Sequence, residues 1–252
     1  MIEIFILSLV QGITEFLPIS SSSHLIILSD HLDFKNQGLS IDVSLHIGSF
    51  IAVVLYFQRD ILNFLKNIKL FFKILIASAP VMIIGFFLVQ TNYIEIIRNI
   101  EVIGWTTLIF GILLYFSDKF KLEKDIDKSF GYKSAIFIGF FQILSLIPGV
   151  SRSGITISAA RMLNYKRHDA AKLSFLLSIP TLGAISIYGL GNLITSDDIN
   201  FSTINLLAIF LSFLFSFITI NFFLRYVKKF SLNLFVIYRV LLGLTLLMIT
   251  YL

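Results

Sequence analysis

The chain has 252 residues, of which 57% are hydrophobic and only 14% charged, with no cysteine and a formal net charge of +5. Soluble domains carry about a quarter charged residues, so this composition indicates a polytopic membrane protein. The lack of cysteine excludes disulfides, thiolate chemistry and cysteine-ligated metals. The basic loops of a membrane protein explain the positive charge better than nucleic-acid binding does.

Apolar segments separated by short polar joints predict about ten helices in an all-α fold. Crossing a hydrocarbon core takes roughly 20 residues, so segments 21–31 and 153–163 are too short to span. Each follows a proline-containing break, LPISSSSH at 17–24 and IPGVSRSG at 147–154. We therefore predict two re-entrant helix-loop-helix pairs and six spans. In chain order, the predicted helices are 3–17, 21–31, 41–57, 69–90, 101–117, 132–147, 153–163, 169–190, 203–226 and 233–251.

The basic residues predict the orientation of these helices. Most of the 20 lysines and arginines fall in four clusters, at 59–73, 119–133, 161–172 and 225–239. With these clusters on the cytoplasmic side, both termini lie outside, the first hairpin opens outward and the second enters from inside. Labelling a cysteine introduced at residue 33 or 36 from outside the cell tests this orientation.

The two proline breaks resemble each other. Aligning Pro18 with Pro148 pairs Ser21 with Ser151, and Gln11 then falls one position from a second glutamine. Each break is followed by three spans, and an odd number of spans inverts the second half relative to the first. Inverted repeats place functional sites near the midplane, where broken helices meet.

This similarity predicts the domain organisation. We expect a single membrane domain, 1–252, built from inverted repeats of about 1–117 and 132–252. A charged cytoplasmic loop at 118–131 joins them. The two breaks should therefore meet inside one bundle.

Glu15 lies within an apolar helix, where a carboxylate is costly and marks a functional site by default. The alternative is a glutamate near a helix end that reaches outward to water. Gln11 lies one turn earlier on the same face. The pair suits a hydrogen-bond network, a proton relay or a hard cation.

Ser21 and His24 are spaced to share one face of a helix. A hydroxyl beside an imidazole is the minimum arrangement for an activated nucleophile or for general acid–base transfer. The alternative is that the serines at 20–23 cap and pack the helix, and that His24 is a satisfied buried histidine.

The segment PGVSRSGIT at 148–156 predicts an anion-binding cradle. Arg152 is the only arginine or lysine expected deep in the membrane, and a guanidinium fits phosphate in bidentate fashion. Hydroxyls and free N–H groups at the start of a helix also favour an anion. The alternative is a structural ion pair between Arg152 and Glu15. The predicted diphosphate-binding residues are Ser20, Ser151, Arg152, Ser153, Gly154 and Thr156.

Both motifs resemble those of the bacterial undecaprenyl-diphosphatase family, of the BacA/UppP type. The stretch QGITEFLPISSSSH at 11–24 fits the family's Glu/Gln-xxx-Glu, Pro-x-Ser-Ser and His pattern, and PGVSRSGIT fits its PGxSRSxxT pattern. Spacing and hydropathy match over essentially the whole chain. The family often has glutamate where this chain has Gln11, which weakens a metal site of two carboxylates. It often has glycine where this chain has Ser23, which leaves the local loop geometry open.

The resemblance implies hydrolysis of undecaprenyl diphosphate to undecaprenyl phosphate and inorganic phosphate, which recycles the lipid carrier for cell-wall synthesis. It also implies the re-entrant inverted-repeat fold, an active site on the outer side of the bacterial cell membrane, and a divalent cation, Mg²⁺ or Ca²⁺, at Glu15 and Gln11. The expected partners are the bilayer and a polyprenyl diphosphate, without nucleic acid; a homodimer is left open.

The catalytic residues that we expect are Ser21, His24, Glu15 and Arg152. In one version Ser21 is the nucleophile and His24 its base; in the other, His24 or Glu15 activates water and Ser21 binds phosphate. A polyprenyl-phosphate transporter, with or without hydrolysis, is the alternative function, because inverted repeats with broken helices are also a transporter architecture. A proton-coupled carrier of small solutes is a third.

Overall fold

The structure is a computed structural model that describes residues 1–31, 38–66, 68–91, 96–195 and 203–252. The described ranges are helical and contain no β-strand, only an isolated bridge between Lys124 and Tyr165. The helices, labelled here in chain order, are α1 (Ile2–Thr14), α2 (Ser21–His31), α3 (Leu39–Tyr56), α4 (Gln58–Lys66), α5 (Ile68–Gln90), α6 (Ile100–Asp118), α7 (Ile126–Ser129), α8 (Tyr132–Ile143), α9 (Arg152–Met162), α10 (Arg167–Thr195), α11 (Thr203–Lys229) and α12 (Asn233–Tyr251).

Six of these helices are long and apolar enough to cross a membrane. The all-α polytopic fold and its six spans are thereby confirmed. The described ranges contain twelve α-helices against the predicted ten or so, because the polar joints also form the short helices α4 and α7. Positions 33 and 36, chosen for labelling, lie outside the described residues. The six candidate spans are Leu39–Tyr56, Ile68–Gln90, Ile100–Asp118, Arg167–Asn192, Thr203–Lys229 and Asn233–Tyr251.

The two predicted hairpins correspond to α1–α2 and α8–α9, whose helices are each 11 to 13 residues long. The α-helical part of each first arm is shorter than predicted. After Thr14 the chain continues as turns, and after Ile143 it narrows into a 3₁₀ turn at Leu144–Leu146. Helices of this length reach about half-way across a bilayer, since an α-helix rises 1.5 Å per residue.

Small residues let the helices approach closely. A Cβ added at Gly48 of α3 would lie 2.4 Å from the carbonyl oxygen of Ile209 in α11, and one at Gly139 of α8 would lie 2.8 Å from that of Ala77 in α5. Lipid tails are as apolar as leucine, so helix association in a membrane depends on such close packing. Helices α6 and α12 form another extensive contact.

The turn before each second arm contains a serine with positive φ: Ser20 at 76° and Ser151 at 69°. Left-handed backbone is uncommon outside glycine, so its occurrence just before both α2 and α9 marks equivalent positions. Pairing Ser21 with Ser151 is therefore wrong at the helix starts; Ser21 corresponds to Arg152. The second break has one residue more between its proline and its helix. With Ser21 aligned to Arg152, Gln11 also aligns with Gln142, just as Ser20 aligns with Ser151. The division into repeats itself stays a prediction.

At the other end of the second hairpin, Asp118 at the end of α6 joins several elements. Its Oδ1 accepts hydrogen bonds from the Nε atoms of Arg161 (3.4 Å) and Arg167 (2.7 Å), and its Oδ2 accepts one from the backbone N–H of Leu232 (3.1 Å). Arg161 is fully buried, and its guanidinium also donates to carbonyl groups of the 118–121 segment and of Tyr165. These contacts fix the base of α9 and so its tip, where the candidate site lies.

Candidate active site

Glu15 is the residue at which the two breaks meet. It follows α1 directly and is 8% exposed. Its Oε1 accepts a hydrogen bond from Arg152 Nη2 at 2.5 Å, and its Oε2 accepts one from Ser21 Oγ at 2.6 Å and one from Gln11 Nε2 at 3.1 Å. A buried carboxylate needs such charged and polar partners to compensate for the loss of water. The ion pair between Arg152 and Glu15 that the sequence suggested is therefore present, and the hydroxyl of Ser21 bonds to the same carboxylate.

Arg152 is the first residue of α9, and its side chain is 15% exposed, so the guanidinium keeps some access to solvent. Ser151 caps the same helix, with its Oγ accepting the N–H of Gly154 at 3.1 Å. The predicted cradle thus exists as a helix start with a cation. Its cation is engaged by Glu15 in this structure.

The hydroxyls assigned to the cradle bond mainly to the protein. Ser153 Oγ donates to the carbonyl of Leu17 at 2.7 Å, which ties the second break to the first. Thr156 Oγ1 lies 2.7 Å from Ser174 Oγ and 2.8 Å from the carbonyl of Arg152. Ser153 and Thr156 are at most 2% exposed. In this structure Ser153 and Thr156 therefore stabilise the conformation of the cradle.

His24 does not contact Ser21 in the way that a base contacts its nucleophile. Its Nδ1 lies 2.6 Å from the carbonyl oxygen of Ser20, and its Nε2 lies 2.5 Å from the hydroxyl of Tyr238. A carbonyl only accepts, so Nδ1 carries a proton, and in the neutral form of the ring Nε2 accepts a hydrogen bond from Tyr238. The Tyr238 ring also stacks on the imidazole, 5.8 Å between centroids. Ser21 donates to Glu15 instead, so the expectation of a Ser21–His24 pair has to be corrected.

The serines around His24 bond among themselves. Ser20 Oγ lies 3.0 Å from Ser23 Oγ and 3.3 Å from Ser22 Oγ. Ser20 and Ser23 are buried, whereas Ser22 is exposed and Ser21 is partly exposed. Ser21 is thus the hydroxyl in this run that combines a carboxylate contact with partial access.

Arg239 is a residue of this centre that the sequence reasoning missed. It is fully buried, and its Nη1 donates to the carbonyls of Pro18 (3.2 Å) and Val150 (3.0 Å), while its Nη2 donates to that of Gly149 (2.9 Å). One guanidinium therefore binds both breaks. Its charge had been counted with the cytoplasmic cluster at 225–239. The signal that could have found it is an arginine inside an apolar 19-residue helix.

Two glycines are required by the close packing at this centre. Gly149 has φ 91°, and a Cβ there would lie 2.0 Å from Thr106 Oγ1. A Cβ at Gly154 would lie 2.9 Å from Arg239 Nη1. Gly154, predicted to bind the diphosphate, thus leaves space for a guanidinium of the protein.

The donors for a cation are few. Among the described residues, no group of three or more histidine, aspartate or glutamate side chains could hold a metal ion. Gln11 Oε1 is buried without a hydrogen-bond partner, whereas both oxygens of Glu15 already accept hydrogen bonds. A hard cation could use the Gln11 oxygen and share Glu15, but it would need further oxygens from a ligand and from water.

Comparison with known proteins gives a family and named relatives. A family model described as bacitracin resistance protein BacA matches residues 4–245. An undecaprenyl-diphosphatase of Pelagibacter ubique (strain HTCC1062) is 50% identical over 252 residues, 99% of this chain and 98% of that protein. Proteins of the same name from Jannaschia sp. (strain CCS1) and Ruegeria sp. (strain TM1040) are 42% and 39% identical, each over at least 98% of both chains.

Proposed function

Because this chain belongs to the BacA family, we propose that it is an undecaprenyl-diphosphate phosphatase. It hydrolyses undecaprenyl diphosphate to undecaprenyl phosphate and inorganic phosphate and so returns the lipid carrier to cell-wall synthesis. Removal of undecaprenyl diphosphate by hydrolysis agrees with the description of the family as a bacitracin resistance protein. The observation that carries this proposal is the Ser21–Glu15–Arg152 contact, in which a hydroxyl, a carboxylate and a guanidinium meet between two broken helices.

Arg152 binds the diphosphate. It leaves Glu15 for the phosphate oxygens, to which a guanidinium can donate two parallel hydrogen bonds. The helix start at Ser151 adds backbone N–H groups and a favourable dipole. Charge that develops on the transferred phosphoryl group is stabilised by these fixed donors, which is the main way in which proteins catalyse phosphoryl transfer.

Ser21 is the nucleophile in our preferred version. Its Oγ attacks the terminal phosphorus, the bond from that phosphorus to the bridging oxygen breaks, and undecaprenyl phosphate leaves with the electron pair. The proton of Ser21 passes to Glu15, which already accepts its hydrogen bond at 2.6 Å. Water then releases inorganic phosphate from the serine. Glu15 replaces His24 as the base because His24 bonds to Ser20 and Tyr238.

The second version has Glu15 or His24 activate water directly, with Ser21 binding phosphate. The two versions differ in a covalent intermediate. Acid-quenched protein that carries phosphate on Ser21, identified by peptide mass, supports the serine nucleophile. Near-normal turnover of Ser21→Ala together with loss of turnover in Glu15→Gln excludes it.

A divalent cation, Mg²⁺ or Ca²⁺, assists the reaction in this proposal. The residues that would hold it are Gln11, through its unpartnered Oε1, and Glu15. When bound, such an ion neutralises negative charge on the diphosphate. Equilibrium binding of each ion to the protein, compared with Gln11→Leu, tests this assignment without an activity assay.

The protein spans the membrane several times, and we place it in the cytoplasmic membrane with the site facing the outer side. The basic clusters support this orientation, because they put the opening of the first hairpin outside. The substrate is a membrane lipid, whose tail stays among the helices while its head group enters the polar centre. Nucleic acid is not among the expected partners.

The test of the function is phosphate release from undecaprenyl diphosphate by the purified protein, with Arg152→Ala as comparison. Release by the wild type and its loss in the variant support the enzyme. No release with any divalent ion overturns it. The comparisons favour hydrolysis over the lipid transporter, since three relatives share the name of a diphosphatase.

A further inference from the structure

A groove with a volume of about 380 Å³ runs between α5 and α10. Its inner end is buried, with Val81 and Thr181 each 6% exposed, and its outer end is open at Val89 and Tyr188, which are 38% and 37% exposed. Its walls are almost entirely hydrocarbon. Between these ends the walls include Gly85 of α5, Ala184 of α10 and Leu146 of the second hairpin.

Helices α5 and α10 are in contact just before the groove begins, and they are separated along its length. Ser78 Oγ of α5 donates to the carbonyl of Leu177 in α10 at 3.4 Å. Each helix has a proline a few residues further along, Pro80 and Pro180. A proline within a helix removes one backbone hydrogen bond and bends the helix. Gly85 keeps the wall thin, since a Cβ there would lie 3.1 Å from the side chain of Leu146.

The second hairpin and α10 connect the inner end of the groove to the candidate active site. Leu146 lies in the turn that leads to Arg152, so one wall belongs to the same hairpin as the phosphate-binding guanidinium. Thr181 lies two turns after Ser174 on α10, which is roughly 10 Å along the helix. Ser174 in turn bonds to Thr156 of the cradle.

The one hydroxyl at the inner end is already satisfied. Thr181 Oγ1 lies 3.2 Å from the carbonyls of Leu177 and of Ser178 in its own helix, and its donor is used there. The groove therefore offers hydrocarbon walls and no charged group to a ligand. A head group gains nothing in it, whereas a branched hydrocarbon chain fits its composition.

We propose that this groove binds the part of the polyprenyl tail that follows its first two isoprene units, while the diphosphate lies at Arg152. The inference rests on the proposed function, which supplies a substrate with such a tail. Lipid tails are as apolar as the groove, so the tail gains little from leaving them. Binding depends on packing contacts with the fixed walls, which sum over many atom pairs, and it positions the diphosphate for attack.

The first test fills the groove with Ala184→Phe. The matched control is Thr245→Phe, at an exposed position of α12 that does not line the groove. We expect Ala184→Phe to raise the KM for undecaprenyl diphosphate about fivefold, equivalent to about 1 kcal/mol. A diphosphate with two isoprene units should be affected by less than about twofold, because its tail barely reaches Thr181. Equal effects on both substrates, or none on either, overturn the groove assignment.

The second test needs no variant. A long-chain diphosphate analogue with a photoreactive group in the isoprene units that follow the first two should label peptides that contain 81–89, 146 or 181–188. Labelling confined to other segments, or labelling of the groove equally by a phospholipid analogue, overturns the proposal. Wild-type protein that hydrolyses neither substrate and still shows groove labelling refutes the proposed function and leaves the groove in place. Hydrolysis with labelling elsewhere does the reverse.

Discussion

The two proline breaks meet at the centre of the molecule, but they are held there differently. The second is tied to other helices: Thr106 of α6 donates to the carbonyl of Pro148 at 2.5 Å, and Arg239 of α12 donates to that of Gly149 at 2.9 Å. In the first, the hydroxyls bond mostly within their own segment, as Ser20 does with its neighbours.

The packing of the two second arms repeats this difference. Helix α9 packs against α6, α8 and α10, whereas α2 packs mainly against α1. Regions with few buried contacts open locally at low free energy. The second break is therefore the fixed part that presents Arg152, and the first is the part in which partners can be exchanged. Ser21 and Arg152 lie at equivalent helix starts, and the proposed mechanism gives them different roles, as nucleophile and as anion binder.

Arg152→Ala should have the largest effect, because it removes the cation that faces the substrate. We expect phosphate release to fall by about 10³-fold, as for other arginines that stabilise transferred phosphoryl groups. Initial rates with undecaprenyl diphosphate measure this. Since the variant also leaves Glu15 without its ion-pair partner, thermal unfolding of Arg152→Ala and of Glu15→Gln/Arg152→Ala is compared. A rate above one-tenth of the wild type in folded protein contradicts the assignment.

Arg239→Leu tests the link between the two breaks. It leaves several buried carbonyls without their donor, and hydrogen bonds to charged groups are worth about 1.5–3 kcal/mol each. We expect a loss of about 3 kcal/mol or more in the free energy of unfolding, measured by denaturation in detergent. Arg239→Lys should rescue little, because an ammonium cannot reproduce the planar fork. Arg225→Leu, at an exposed position of α11, is the control that should change little.

Tyr238→Phe tests whether the partner of His24 matters. The ring can still stack on the imidazole, but Nε2 loses its hydrogen-bond donor. We expect kcat to fall about fivefold with little change in KM, since one hydrogen bond is worth about 1 kcal/mol. In a His24→Ala background the same substitution should have no additional effect, because the two side chains act as a pair. Additive losses would show that Tyr238 acts independently.

Ser153→Ala and Ser22→Ala compare equivalent serines in the two breaks. Ser153 is buried and donates to the carbonyl of Leu17 at 2.7 Å, while Ser22 is exposed and lies 3.3 Å from Ser20 Oγ. We expect a loss of about 1 kcal/mol in stability for Ser153→Ala and almost none for Ser22→Ala. Melting temperatures of both variants measure this. Equal losses would remove the distinction between the fixed break and the loosely held one.

The smallest effect is expected outside the membrane, at Asp125. Lys166 donates to it at 2.7 Å, and this hydrogen bond holds the pKa of Asp125 below its usual value. A lowered pKa contributes stability above the unfolded value of about 3.9 and loses it as the pH falls through the folded value. Asp125→Asn should therefore leave the melting temperature at pH 7 almost unchanged, because both side chains are exposed. As the pH is lowered below about 4, the melting temperature of the variant should fall slightly less than that of the wild type. Glu123→Gln is the control.

Much of the fold could be predicted from the sequence because length and apolar composition alone determine what crosses a bilayer. The six spans follow from that constraint, and their predicted ends agree with the structure to within a few residues. The short helices α4 and α7 could not be predicted this way, since the polar joints have no such constraint. The extra residue in the second break was also missed. The two breaks were aligned on their prolines, whereas the equivalent positions are those where α2 and α9 begin.

The sequence predicted which residues lie in the candidate site better than it predicted their contacts. Glu15, Ser21 and Arg152, which the structure brings into contact, were selected because polar groups inside apolar segments are costly and therefore informative. The partner of His24 was not found, since Tyr238 lies on the last helix, far away in sequence, and a tyrosine there has no distinctive signal. Arg239 was misassigned because a rule about loop charges was applied to a residue inside a span.

Arg239 belongs to the last helix of the chain, whereas the carbonyls that it binds belong to the two hairpins. Chains are made from the N-terminus, so both breaks enter the membrane before Arg239 has been synthesised. Until then their carbonyl groups lack this donor in surroundings that contain little water. We therefore expect that a chain whose translation stops before α12 contains both motifs but cannot complete the site.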